Sequence, residues 1–295
     1  MIDLHTHTTY SDGSFTPEEV LEEAEKKEVT ILSITDHNTM DAYKELTNKK
    51  VRNKFRGIII SGVEITTTYK GETIEVLGYD FDLEKMKEFL KQNVLTFEQK
   101  QRKEYDLIKE RYQKIGIIFK EENINYNPKI ESSRGAFLEE IKKYKENDSF
   151  FLNSTSKESV NRFTREEIYN PNSPLYVDES SLFPPLEKVI EMIHQAGGKS
   201  FLAHTYAYSK NIPNQLLNIL DKYSFDGLEC FYTTFTEKQT NYLVNLCKER
   251  GLYMSGGSDF HGTGKENHNL ATGKGNLEIK EEIITPWFHK KEGII

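Results

Sequence analysis

Cysteine is nearly absent from this chain. The two it has, Cys230 and Cys247, stand in apolar surroundings without CxxC spacing. That argues against a thiolate metal site and suits two small buried hydrophobes in a reducing compartment. Long apolar runs are also missing. No stretch approaches the ~18 residues of a membrane span, and Met1-Ile2-Asp3-Leu4-His5 has neither the basic nor the apolar region of a secretory leader. The expected location is therefore cytoplasmic, with no membrane partner. Positive charge is the minority sign, with 39 Lys and Arg against 47 Asp and Glu, a formal net charge of -8. This excludes a surface built for non-specific binding to duplex nucleic acid. An anionic substrate would need local recognition, and bound divalent cations could place about four to six positive charges in one cleft. Histidine is scarce too, 8 in 295 residues, yet His5, His7, His37 and His261 each fall beside a carboxylate or another His where an apolar segment meets a Gly/Ser/Asp-rich one.

A chain of 295 residues is long enough for one large α/β domain or a barrel carrying an insertion. Residues 2–4 form a short strand candidate. Thr16-Pro17-Glu18-Glu19 then supplies a capping box with Pro at the first helical position, predicting a helix to about residue 27. A β-rich run over 29–35, a helix over 41–54, a buried strand over 57–61 and a hairpin over 66–79 turning at Lys70-Gly71 follow. From about residue 83 the sequence becomes rich in Lys, Glu and Asn and mostly helical, with one long pattern over 83–115. The α/β rhythm resumes near residue 185, with a helix over 186–195 closed by Gly197-Gly198, strands over 200–203 and 227–231, a helix capped by Thr236, and a strand over 252–255 leading into a Gly256-Gly257 turn. The expected organisation is a first barrel part over 1–82, a helical insertion over 83–184 and a second barrel part over 185–295.

In parallel α/β barrels the reactive groups stand at the C-terminal ends of the strands. His5, His7, Asp36, His37, Glu64, His204, Glu229, Asp259 and His261 all take that place in this reading. Imidazole and carboxylate ligands without thiolate suit Zn, Mn or Fe(II), and one glutamate can bridge two ions. A water shared between such ions is acidified to hydroxide, which is the chemistry of hydrolysis. Glu229 stands either as a support for a ligand or as a structural residue. His194, near a helix end, and His268 and His289, in polar sequence, read as structural or solvated groups.

His5-Thr6-His7 with Asp12-Gly13, Thr35-Asp36-His37-Asn38-Thr39, Gly62-Val63-Glu64, Leu202-Ala203-His204 and Gly256-Gly257-Ser258-Asp259-Phe260-His261-Gly262 resemble, in order and spacing, the polymerase and histidinol phosphatase (PHP) family of metal-dependent phosphoesterases. The resemblance covers about residues 1–80 and 185–280. It is nearest the members that dephosphorylate nucleotide 3',5'-bisphosphates or trim short RNA. It implies a distorted (β/α)7 barrel with a mainly helical insertion, holding two or three divalent ions (Mn, Fe or Zn). It makes His5, His7, Asp12, His37, Glu64, His204, Asp259 and His261 the ligands, with Glu64 as the bridge. Asp36 would hold a ligand imidazole in its tautomer. Arg134 would grip substrate phosphate through its bidentate fork, unless it is an ordinary surface charge.

Three positions depart from the family pattern. Glu75 stands where relatives have His, either as a substitute ligand or as an exposed strand residue. Ala136 and Phe235 replace His, and neither can hold phosphate. The resemblance thus implies an enzyme acting on a small phosphorylated substrate such as a nucleotide or short oligoribonucleotide. Two other readings stay open: hydrolysis of an amide-type bond, and a non-catalytic module that binds metal and a phosphorylated ligand.

Overall fold

The structure is a computed structural model and describes residues 1–208 and 211–289. The chain divides into two compact units: Met1–Thr67 with Ile74–Gln92 and Pro185–Ile295, and Thr68–Thr73 with Asn93–Pro184. Among the described residues no helix is long and apolar enough to cross a membrane.

The first unit alternates strands and helices: β1 (Ile2–Asp3), α1 (Pro17–Lys26), β2 (Ile31–Leu32), α2 (Asp41–Leu46), α3 (Lys49–Arg52), β3 (Ile58–Ile59), β4 (Gly62–Tyr69), β5 (Glu72–Tyr79) and α4 (Leu83–Asn93). The Thr16 capping box forms as the sequence predicts, with Glu19 N bonded to the Thr16 hydroxyl and Pro17 opening α1. The helix expected over 41–54 is interrupted, because Asn48 leaves helical geometry (φ -75°, ψ 112°) and caps α3 through Lys50 N. The long pattern over 83–115 is likewise two helices. Thr96 and Gln99 form a second capping box that opens α5 (Phe97–Ile115). α4 belongs to the first unit, with Asp82 N bonded to Ala196 O at 2.9 Å and Met86 and Leu90 buried, so the second unit starts at Asn93 rather than at residue 83.

The second unit holds α5, α6 (Ser133–Ile141), α7 (Val160–Phe163) and several short turns. It has its own core of Ile108, Tyr112, Phe137, Leu138, Ile141 and Phe163 with their neighbours.

The first unit resumes with α8 (Leu186–Gln195), β6 (Lys199–Leu202), α9 (Asn211–Lys222), β7 (Gly227–Tyr232), α10 (Glu237–Arg250) and β8 (Tyr253–Gly257). Its strands make two sheets, β1-β2-β3 and β4-β5-β6-β7-β8; β1-β2, β2-β3, β6-β7 and β7-β8 pair parallel, and β5 and β6 run antiparallel. This is a mixed-sheet α/β architecture. Backbone bonds link the two sheets: Leu4 N donates to Gly256 O at 3.2 Å, and a parallel bridge joins His37 to Glu64. Tyr79, Phe201, Trp287, Ile2 and Leu4 are packed in its core, and the buried Tyr79 hydroxyl donates to Leu4 O at 2.9 Å. Cys230 and Cys247 are both buried and free.

Candidate metal centre

Past β1 the chain stays extended through His5 and His7 beside the outgoing end of β8. Asp259 N donates to His5 O at 2.8 Å, and His7 N to Phe260 O at 2.8 Å. Alternation along this segment turns Thr6 away, so that its hydroxyl donates to Ser33 O, and brings the Nε2 atoms of His5 and His7 within 3.1 Å. The sequence predicts a turn at Gly256-Gly257, but both glycines end β8. A Cβ on Gly257 would lie 2.4 Å from His5 N and 2.4 Å from His5 Cβ, so a missing side chain permits this approach of strand to ligand. Asp259 follows in the left-handed region (φ 56°), which re-aims its carboxylate at the two imidazoles.

Glu64 lies at the centre. Its Oε2 is 3.2 Å from His5 Nε2, 3.3 Å from His7 Nε2 and 3.3 Å from His37 Nδ1, while Oε1 is 2.9 Å from His204 Nε2. Glu75, from the neighbouring strand β5, places Oε1 3.4 Å from His37 Nδ1 and Oε2 3.3 Å from His204 Nε2. Asp259 Oδ1 is 3.3 Å from His7 Nε2 and 3.5 Å from His5 Nε2. On the open side Asp12, its side chain 57% exposed, lies 3.2 Å from His261 Nε2 and 3.8 Å from His37 Nε2.

Burial alone would push these imidazoles toward neutrality. For His5 the carboxylates of Glu64, Glu229 and Asp259 outweigh it and hold the ring well above its usual range. His7 is raised to about 9 against the same burial by Asp259 and Glu64, and His204 to about 10 by Glu64 and Glu75. Burial would raise Glu64 and Asp259, yet the surrounding imidazoles keep both well below the carboxylate range.

Among the described residues, three groups that could hold a metal ion have their donor atoms mutually within 4.8 Å: His7, Asp12, His37 and His261; His5, His7 and Glu64; and His37, Glu64 and Glu75. His37 Nδ1 is buried without a hydrogen bond although it faces carboxylate oxygens of Glu64 and Glu75. A lone pair aimed between two carboxylates fits a divalent ion with nitrogen and oxygen ligands.

The PHP domain profile matches residues 3–236. The chain belongs to the PHP domain family. Among similar proteins, the 5'-3' exoribonuclease Rnm of Escherichia coli is 28% identical over 88% of this chain and 84% of its own length. The 3',5'-nucleoside bisphosphate phosphatase of Chromobacterium violaceum is 25% identical over 100% of this chain and 97% of its own length. A solved structure described as an amidohydrolase from C. violaceum shares the fold, with a TM-score of 0.60 at 23% identity over 91% of this chain and 89% of that one.

Within this PHP domain the support of the ligands differs from the sequence reading. Asp36 holds no imidazole directly. Its carboxylate accepts from Thr8 N at 2.7 Å, the Thr8 hydroxyl at 2.6 Å and the Ser11 hydroxyl at 2.6 Å, and it reaches His7 Nδ1 only through Ser11, 3.4 Å further on. Glu229 is the carboxylate that meets an imidazole directly: its Oε1 is 2.9 Å from His5 Nδ1 while Oε2 accepts from His204 N at 2.7 Å. A bulge against β8 between Glu229 and Phe231 breaks the register at this point.

Tyr232 and Lys265 were not singled out by the sequence reading. Tyr232 donates to Asp259 Oδ2 at 2.6 Å, and Lys265 Nζ pairs with the same oxygen. His268 Nδ1 is 2.9 Å from Ser258 O and 3.8 Å from Asp259 Oδ2, at the margin of the cluster. His194 lies with Asp226, 2.7 Å away. Phe235 is buried against Tyr206 and Tyr232.

In the second unit Arg134 is not an ordinary surface charge. Its side chain is 13% exposed, bonds both oxygens of Glu179 at 2.8 and 3.0 Å, pairs with buried Glu104 and stacks on Tyr169. Ala136 lines a cavity of about 370 Å³ beside Gly135, Val160 and Tyr126.

Proposed function

We propose that this protein is a metal-dependent phosphoesterase that hydrolyses a phosphate ester of a small nucleotide, a short oligoribonucleotide or a related phosphorylated metabolite. The observation that carries this reading is the Glu64 carboxylate, one oxygen facing His5, His7 and His37 and the other facing His204. That is the donor arrangement of a bridging ligand in a cluster of two or three ions, for which Mn, Fe or Zn are suited. Such ions supply Lewis acidity toward phosphoryl oxygens and acidify a bound water.

His5, His7, Glu64 and Asp259 would hold one ion, and His37, Glu64, Glu75 and His204 a second. Asp12 and His261 would hold a third. Glu75 adds an oxygen donor, which favours harder ions at its position than a histidine would. Glu229 and Asp36 position these groups, the first through His5 and His204, the second through Thr8 and Ser11. Arg134 would grip a substrate phosphate. Its Nε is buried without an acceptor, and its Nη2 already donates to both carboxyl oxygens of Glu179. The same reading takes the second unit, from Asn93 to Pro184, as a helical insertion in a distorted (β/α)7 barrel, which the backbone bonds between the two sheets support.

The test is phosphate release by the Mn-loaded protein from mononucleotides, 3',5'-bisphosphates, short RNAs and sugar phosphates, with Asp259→Ala as the blank. Turnover of one class that Asp259→Ala abolishes is the expected result. Release from none of them, with metal bound, would sink the phosphoesterase reading in favour of amide hydrolysis or binding without turnover.

A further inference from the structure

The two cysteines of the chain, 17 positions apart, meet in the fold. Cys230 Sγ on β7 lies 3.6 Å from Cys247 Sγ on α10, and both side chains are fully buried. Each sulfur also faces a backbone carbonyl, that of Leu228 at 3.6 Å for Cys230 and that of Tyr253 at 3.5 Å for Cys247. Packing alone asks only for two small apolar side chains here. The place of Cys230 in its strand gives the contact a further meaning. β7 pairs with β8 through Glu229 and Ser255 and next through Phe231 and Gly256, so Cys230 is the extra residue of the bulge. Its neighbour Glu229 reaches His5 Nδ1 at 2.9 Å and His204 N at 2.7 Å. One bulge thus sends a carboxylate to the metal centre and a thiol to α10.

We propose that Cys230 and Cys247 form a redox switch, in which hydrogen peroxide joins them as a disulfide and the disulfide weakens metal binding through Glu229. One sulfur takes an oxygen from the peroxide and becomes a sulfenic acid, and its proton leaves in the first water. The other sulfur bonds to that sulfur, the S–O bond breaks, and the hydroxide departs with the second thiol proton as another water. Both sulfurs are oxidised and the peroxide is reduced. Burial pushes the Cys230 thiol up and keeps it protonated, so the pair answers sustained peroxide and not a trace of it. To bond, the sulfurs close from 3.6 Å to about 2 Å. The bulge, where the ladder to β8 is already interrupted, is the part of β7 that yields to this pull. Glu229 is joined to Cys230 by one peptide bond and moves with it, and hydrogen bonds to His5 and His204 do not survive a shift of that size. The change in affinity rests on the metal-centre reading, whereas formation of the bond does not.

The experiment treats Mn-loaded wild type, Cys247→Ala and Cys247→Ser with hydrogen peroxide, removes the excess with catalase, and measures intact mass, thiol content after denaturation and Mn affinity by chelator competition. Wild type is expected to lose about 2 Da and both titratable thiols. Its Mn affinity falls about 10-fold, and dithiothreitol restores mass and affinity together. Both Cys247 variants keep their Mn affinity through the same treatment. Oxygen added to the thiols in place of hydrogen lost, a disulfide with unchanged Mn affinity, or an equal loss of affinity in the variants would overturn the switch. Reduced wild type that takes up no Mn would remove the metal-centre reading and the switch with it, while the mass would still show whether the bond forms.

Discussion

Both oxygens of Glu229 are committed, one to the ring of His5 and the other to the backbone of His204. One carboxylate thus sets the ring of His5 and the strand end that carries His204. Replacing it with Gln keeps the shape but turns one acceptor into a donor, leaving either the His5 Nδ1–H or the His204 N–H without an acceptor. Glu229→Gln should weaken Mn binding by roughly 10–100-fold, read by chelator competition, with an unchanged circular dichroism spectrum. Unaltered affinity would mean that the contact does not orient the ligands. Glu229 was half legible in the sequence, since it follows a strand like the ligands do. What assigns it is the fold, which brings β7 beside the end of β1, 224 positions away in the chain.

At the scale of elements, α5 and the start of α6 bring Glu104, Ser133 and Arg134 together, and the turn before residue 180 adds Glu179. Burial pushes the Glu179 carboxyl up to about 7, with Glu104 adding to the rise and Arg134 only partly opposing it. A carboxyl whose folded pKa lies above its unfolded value near ~4.3 binds its proton more tightly when folded. Its contribution is therefore complete below the unfolded value and is lost as pH rises through about 7. The melting temperature should fall from about pH 4.3 to about pH 7 and level off above that, and Glu179→Gln should flatten that slope. A slope that survives the substitution would place the titration elsewhere.

Across the whole molecule, the centre gathers buried imidazoles and carboxylates that repel or compensate one another according to their protons. His7 and His204, raised to about 9 and about 10, hold protons at neutral pH, and a metal ion must displace them. Adding Mn to the metal-free protein in weak buffer should acidify the solution, and affinity should strengthen as pH rises toward those values. Metal uptake without proton release would contradict the protonated state argued for these rings. Removing metal with a chelator should lower the melting temperature, and returning it should raise that temperature progressively with free metal concentration.

Much of this protein was readable along the chain. Histidines beside carboxylates at the ends of apolar segments marked His5, His7, His37 and Asp259, because a polar residue that ends a buried strand is unfavourable there unless something binds it. The capping boxes at Thr16 and Thr236 were equally plain, since each is a local bond between residues three apart. Other features depend on partners distant in sequence. The role of Gly257 comes from the backbone of His5, not from a turn. Asp36 faces Thr8 and Ser11 instead of an imidazole, and Asp259 acquires Tyr232 and Lys265 only when β7 and the loop after β8 meet. Local sequence determines which groups can bind a metal and where helices start. Tertiary structure decides which carboxylate serves which imidazole, because a hydrogen bond needs its partners within about 3 Å, and only the folded chain brings them that close.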